Sequence, residues 1–122
     1  MTSHQAHHLR QGELAEAMAA TFLQAKGLTL LERNFHCRHG EIDLIMRHAK
    51  TLVFIEVRLR SHAQFGGAAM SINQAKQDKL RRSAEYYLQA HHDRYRDTAC
   101  RFDAILMKDL DITAVEWIQD AF

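Results

Sequence analysis

Three side chains in one stretch of the sequence could act together as a cation-holding centre: Asp43, Glu56 and Arg58. They lie in two segments rich in Val, Ile, Leu and Phe, residues 41–46 and 51–59, which read as β-strands. Side chains alternate along a strand. In the first segment Glu41, Asp43 and Ile45 share one face, and Ile42, Leu44 and Met46 the other. In the second, Leu52, Phe54, Glu56 and Arg58 share one face, and Val53, Ile55, Val57 and Leu59 the other. The two uniformly apolar faces should coincide against the helices, because a one-residue slip would bury the carboxylates. The short connection predicts a hairpin. A turn centred on Ala49-Lys50 sets Ile45 opposite Phe54, Asp43 opposite Glu56 and Glu41 opposite Arg58. Two facing carboxylates repel unless something compensates. A hard divalent cation such as Mg²⁺, which takes oxygen ligands, is one compensation. Arg58 alone is another, and the three residues are then a structural charge cluster at a sheet end.

These strands need elements to hold them. From about Gln11 to Lys26 the pattern is helical: Leu14, Met18, Phe22 and Ala25 form a stripe extended by Ala15, Ala19 and Leu23, and Gly27 ends it. Glu16 lies beside Leu23 at the border of that stripe, within reach of the strand ends, whereas Glu13 turns toward solvent. A strand follows at about Leu28 to Phe35. Ser61 to Ala68, with Gly66-Gly67, reads as a loop. A second helix runs from Ser71, its N-cap, to about Ala90. Its stripe is Ile72, Leu80, Ser83 and Tyr87, and Lys76 falls inside it. Lys76 either buries its stem and wets its amine or aims a cation at the acidic centre or a phosphate. Arg101 to Met107 and Thr113 to Ile118 read as closing strands. The order α-β-β-β-α-β-β predicts an α/β domain with a mixed sheet.

The 122 residues, 47% apolar and 25% charged, fit one domain over residues 9–122 behind a mobile tail, residues 1–8. No apolar run approaches the roughly 20 residues that span a bilayer. Met1 to Leu9 lacks the apolar core of a secretory signal, so a cytoplasmic protein without membrane association is expected. Cys37 and Cys100 make no disulfide framework. His36, Cys37 and His39 have no second ligand pair for structural zinc. The net charge of +1 is uninformative, but residues 58–82 hold six basic side chains against one acid, Asp78. Of these, Arg60, Lys76, Lys79, Arg81 and Arg82 are candidates to track nucleic-acid phosphates; a solvated helix face is the alternative. Tyr86, Tyr87 and Trp117 are too scattered for a base-stacking platform and read as core or rim.

Gly12-x-x-x-Glu16, Gly27, Gly40-Glu41-Ile42-Asp43-Leu44-Ile45 and Val53-Phe54-Ile55-Glu56-Val57-Arg58 together resemble the YraN family of uncharacterised bacterial proteins. Phe65-Gly66-Gly67, Ile72 to Leu80 with Lys76-Gln77, Arg101-Phe102-Asp103 and Glu116-Trp117-Ile118 extend the likeness. That family resembles PD-(D/E)XK nucleases of the restriction-endonuclease-like fold, above all archaeal-type Holliday-junction resolvases. The resemblance implies a glutamate from the first helix (Glu16), an aspartate opening a strand (Asp43) and Glu-x-Lys on the next (Glu56 and Arg58). It implies Mg²⁺ or Mn²⁺ held by Glu16, Asp43, Glu56 and the Val57 carbonyl, a DNA substrate and a homodimer. Arg58 departs from the pattern. Arginine stays charged and cannot act as a base, but it can clamp a phosphate or stabilise developing charge. Water activation then falls to the metal, and Lys76 is the lysine available. Three expectations follow: a metal-dependent endonuclease, a non-catalytic nucleic-acid-binding module, or an accessory protein with a protein partner in DNA processing.

Overall fold

The computed structural model describes residues 3–60 and 72–122, with side chains from Arg10 to Leu59 and from Ile72 onward. The loop read at 61–68 with Gly66-Gly67, the Ser71 cap and the Arg60 side chain lie outside the described residues.

Helix α1 spans Ser3–Ala25 and so begins well before Gln11. The stretch read as a tail is helical from Ser3 on. It contains no Pro and no Gly before Gly12, and a helix nucleated downstream extends at little cost. Its end is a Schellman motif. Leu28 N–H donates to Leu23 O (3.1 Å) and Gly27 N–H to Gln24 O (3.0 Å), with Gly27 at φ +99°. The contact face is Ala15, Ala19, Ala20 and Leu23, with Met18 and Phe22 partly buried. Leu14 is 53% exposed, so the stripe is rotated toward the alanines relative to the expected one. Small side chains there let the helix lie close to the sheet. Leu23→Ala is therefore expected to cost about 2–5 kcal/mol in urea unfolding, and Leu14→Ala no more than about 0.5 kcal/mol. Equal losses would contradict this rotation.

The sheet has the order β1-β2-β3-β4-β5. Its strands are β1 Thr29–Cys37, β2 Gly40–His48, β3 Thr51–Arg60, β4 Cys100–Lys108 and β5 Val115–Ile118. All neighbours are antiparallel except β3 and β4. A parallel pair needs a crossover, and α2 (Gln74–Ala90) with the short α3 (His92–Tyr95) lies within it. Asn73 caps α2, its side chain accepting from Lys76 N–H at 2.9 Å. Among the described residues no helix is long and apolar enough to cross a membrane.

The hairpin register is the expected one. His48 pairs with Thr51, and Ile45 with Phe54, around a turn in which Ala49 has φ 55°. The helices, however, do not share a face. Leu44, Met46, Val53, Ile55, Ile105 and Met107 pack under α1. Ile45, Leu52 and Phe54 pack under α2 with Leu80, Ala84 and Tyr87. The strand face that carries the charges is itself apolar over Ile45, Leu52 and Phe54, so it too must be covered. Only its far end stays polar.

Candidate functional site

The polar end is where β2 leaves β3. Their ladder runs from His48–Thr51 to Leu44–Ile55 and goes no further. One step on, where the register sets Asp43 against Glu56, a side chain replaces the backbone partner: Asp43 Oδ2 accepts the Val57 N–H at 2.8 Å. Strand β3 keeps its pairing with β4 beyond this point, through Arg60–Lys108. The break also disturbs the alternation of β2. Ile42 packs under α2 beside Ile45, not with Leu44 and Met46 as strict parity predicts. Glu41 accordingly does not reach Arg58 through the ladder. It pairs with His36 of β1, Oε2 to Nδ1 at 3.5 Å.

Asp43 is the centre of the cluster. It shares side-chain hydrogen bonds with Glu56 of β3 and with Glu16 of α1. Burial above all, then the shared hydrogen bond with Glu56 and the Glu56 charge, push the Asp43 carboxyl up to about 9, against the pull of the Val57 N–H. Glu16 is also raised. Burial is the main cause and the nearby Arg33 opposes it, while Glu41 adds to it. Glu16 Oε1 is buried and has no hydrogen-bond partner among the described residues. Such an oxygen calls for a proton or a cation.

Glu56 is 7% exposed, and its Oε2 lies 3.2 Å from Lys76 Nζ. Lys76 is partly exposed and directs its amine at one of the acids. Arg58 is half-buried, two residues beyond Glu56 on β3. The other basic candidates do not form one track. Lys79 lines a cleft of ≈ 350 Å³ with His36, Cys37, Gly40, Glu41, Lys76 and Leu80. Arg82 is exposed. Arg81 instead sits over the rings of Phe102 (5.1 Å) and Phe122 (5.5 Å) as a cation–π cap.

Sequence reasoning assigned no role to Asp103, which has no exposed surface. It accepts from Arg101 Nε (2.8 Å) and Nη2 (2.9 Å), from Trp117 Nε1 (2.9 Å) and from the Asp120 N–H (2.9 Å). Arg101 also meets His48 Nδ1 at 3.0 Å. The signal was available: an acid inside the apolar run 101–107 shares a strand face with Arg101 two residues away. This network ties β2, β4, β5 and the segment at Asp120 together around a carboxylate with no exposed surface.

Among the described residues no three His, Cys, Asp or Glu side chains stand together as a ready-made metal cage. Three carboxyls, those of Glu16, Asp43 and Glu56, nevertheless lie near one another, and one buried Glu16 oxygen has no hydrogen-bond partner among the described residues.

Fold and site thus define an α/β protein with carboxyls gathered where two strands part at the end of a mixed sheet. The sequence matches Uncharacterised protein family UPF0102 over residues 15–107, and the chain belongs to that family, the YraN family. It is 53% identical to a UPF0102 protein of Methylobacillus flagellatus over 111 residues, covering 91% of this chain and 95% of the relative. A UPF0102 protein of Nitrosomonas europaea is 54% identical over 112 residues, 92% of either chain. One from Neisseria meningitidis serogroup C is 49% identical over 111 residues, 91% of this chain and 93% of the relative.

Proposed function

We propose that this protein is an endonuclease of the restriction-endonuclease-like kind, hydrolysing DNA phosphodiester bonds with Mg²⁺ or Mn²⁺. One observation carries the reading: Glu16, Asp43 and Glu56 come from three different elements and meet where the β2–β3 ladder ends, with Lys76 against Glu56. Like charges are not gathered in a half-buried place without something to balance them. Glu16, Asp43 and Glu56 would hold the ion, with the Val57 carbonyl as a further oxygen. When bound, the ion supplies a water acidic enough to attack at neutral pH. Arg58 neutralises charge on the scissile phosphate. Lys76, whose amine can exchange a proton where a guanidinium cannot, holds Glu56 in place and faces the reacting oxygens.

The test is a panel of linear, flapped, forked and four-way DNAs incubated with either metal. Wild type is expected to cut at least one of them. Glu56→Gln is expected to lose at least about a hundredfold in rate while remaining folded. If wild type cuts none, the endonuclease reading falls. A second reading has its own support: Arg58 stands where a lysine is usual, and Lys76 already neutralises Glu56. Both suit a protein that binds nucleic acid, or a protein partner, without cutting. Salt-sensitive DNA binding without cleavage would favour the nucleic-acid form, and absence of DNA binding the partner form.

A further inference from the structure

Beside the acidic centre, the β1–β2 turn lies flush against α2. A Cβ added to Gly40, whose φ is +143°, would come within 3.4 Å of Ser83 Oγ and 3.8 Å of Lys79 Cβ. The cleft between turn and helix opens next to Lys76, the residue that pairs with Glu56. Lys76, Lys79 and His36 are among the residues that line it, the Lys76 amine itself lying against Glu56. Its one acid, Glu41, is turned to His36. Such a lining suits a phosphate.

Along α2, Lys76, Lys79, Ser83 and Tyr86 fall at i, i+3, i+7 and i+10, one face of the helix. From Lys76 to Tyr86 that face runs about 15 Å; the turn covers it at Ser83, which has no exposed surface, so a strand passing from Lys76 to Tyr86 would cross over the turn. Tyr86 stands at its far end, 46% exposed, although most other large apolar side chains are buried. Its ring is set against His39 of the turn, edge-on at 6.2 Å, and against Phe35 at 6.3 Å. Sequence spacing had separated the aromatic residues; the fold instead buries Tyr87, ties Trp117 to Asp103, and leaves Tyr86 held and open.

We propose that this cleft and the Tyr86–His39 ring pair form a subsite for an unpaired DNA strand leading away from the acidic centre. Lys79 and His36 take a backbone phosphate, and Tyr86 receives an unstacked base. The inference rests on the reading that the neighbouring centre acts on DNA. A duplex hides its base faces in the stack, so a single exposed ring favours a strand out of the helix, where each stacked base contributes about 1–3 kcal/mol.

The test is metal-free fluorescence anisotropy with a labelled oligothymidylate and a blunt duplex of equal length, each titrated with salt. The single strand is expected to bind about tenfold more tightly. Tyr86→Ala should weaken it roughly tenfold, and Tyr86→Phe should restore it. Lys79→Gln should lower the slope of log K against log salt by about 0.7. Unchanged thermal melts of the variants exclude unfolding as the cause. Tighter duplex binding, no binding to either DNA, or a Tyr86→Ala variant that binds like wild type would overturn the proposal. Because no metal is present, a protein that shows this preference but never cuts would keep the subsite and lose the endonuclease reading.

Discussion

Replacing Asp103 by alanine is expected to destabilise the protein by about 3–5 kcal/mol, a large part of the roughly 5–15 kcal/mol that holds a domain of this size. Asp103 has no exposed surface, and four donor bonds end on its two oxygens. Removing the carboxylate strands the partly buried Arg101 guanidinium, the Trp117 indole N–H and the Asp120 amide together. Each loses a charged acceptor, and the partly buried Arg101 and Trp117 groups are only partly open to water in its place. His48 Nδ1 still accepts from Arg101 and softens the loss. Asp103→Asn should fall between wild type and alanine, since one amide oxygen can accept while the amide nitrogen meets donors. Thermal melts read the effect as a fall of about 10–20 °C. A fall of less than about 3 °C would show that the network does not anchor the sheet.

Asp43→Asn should act in the opposite direction. The Asp43 carboxyl has its ordinary value of 3.8 in the unfolded chain and is raised to about 9 in the folded one. Between those values the folded state binds the extra proton. The favourable contribution of the protonated group is complete below about pH 4 and is lost as pH rises through about 9. Without divalent metal, wild type should therefore lose stability steadily over that window. An asparagine side chain in the same place cannot ionise. Its oxygen can still accept the Val57 N–H, and its amide can donate to Glu16 and Glu56. The variant should thus be more stable than wild type at pH 8–9 and nearly equal to it at pH 4. On the proposed function, adding Mg²⁺ is expected to reverse the ranking: an ion that binds only the folded form would stabilise wild type, more so at higher pH, where the competing proton is gone, and the Asp43→Asn variant should gain little. A wild type whose melting temperature neither declines toward pH 9 nor responds to Mg²⁺ would remove the basis for a metal centre at Asp43.

How much of this was legible beforehand differs from one residue to the next. The hairpin register was readable because a two-residue connection fixes it, and Ile45 does face Phe54. The meeting of Asp43 with Glu56 followed from the same count. The ladder break did not, because it depends on a carboxylate outcompeting a backbone carbonyl for one N–H, and no periodicity records that. Glu16 was readable as a border residue of its helix, but its buried oxygen depends on how α1 is rotated. That rotation was misjudged, because leucine outweighs alanine in a hydrophobicity pattern while close approach to a sheet favours alanine. Lys76 was flagged by its place in an apolar stripe, and its partner came only with the fold. Arg81 was read as a phosphate contact from charge alone. What decides its position is the pair of rings from Phe102 and Phe122, distant in sequence.

The bond from Val57 N–H to Asp43 works as a wedge in a fork. Strand pairing tends to zip onward once begun, and here a single acceptor keeps the two prongs from closing over the carboxyls. The Val57 amide is consequently a gauge of the fork. Its hydrogen exchange should quicken when the Asp43 oxygen is taken by an ion, while the amides of Ile55 and Phe54, behind the crotch, stay protected. A ligand felt at one peptide group and not at its neighbours would locate itself on the molecule without any diffraction.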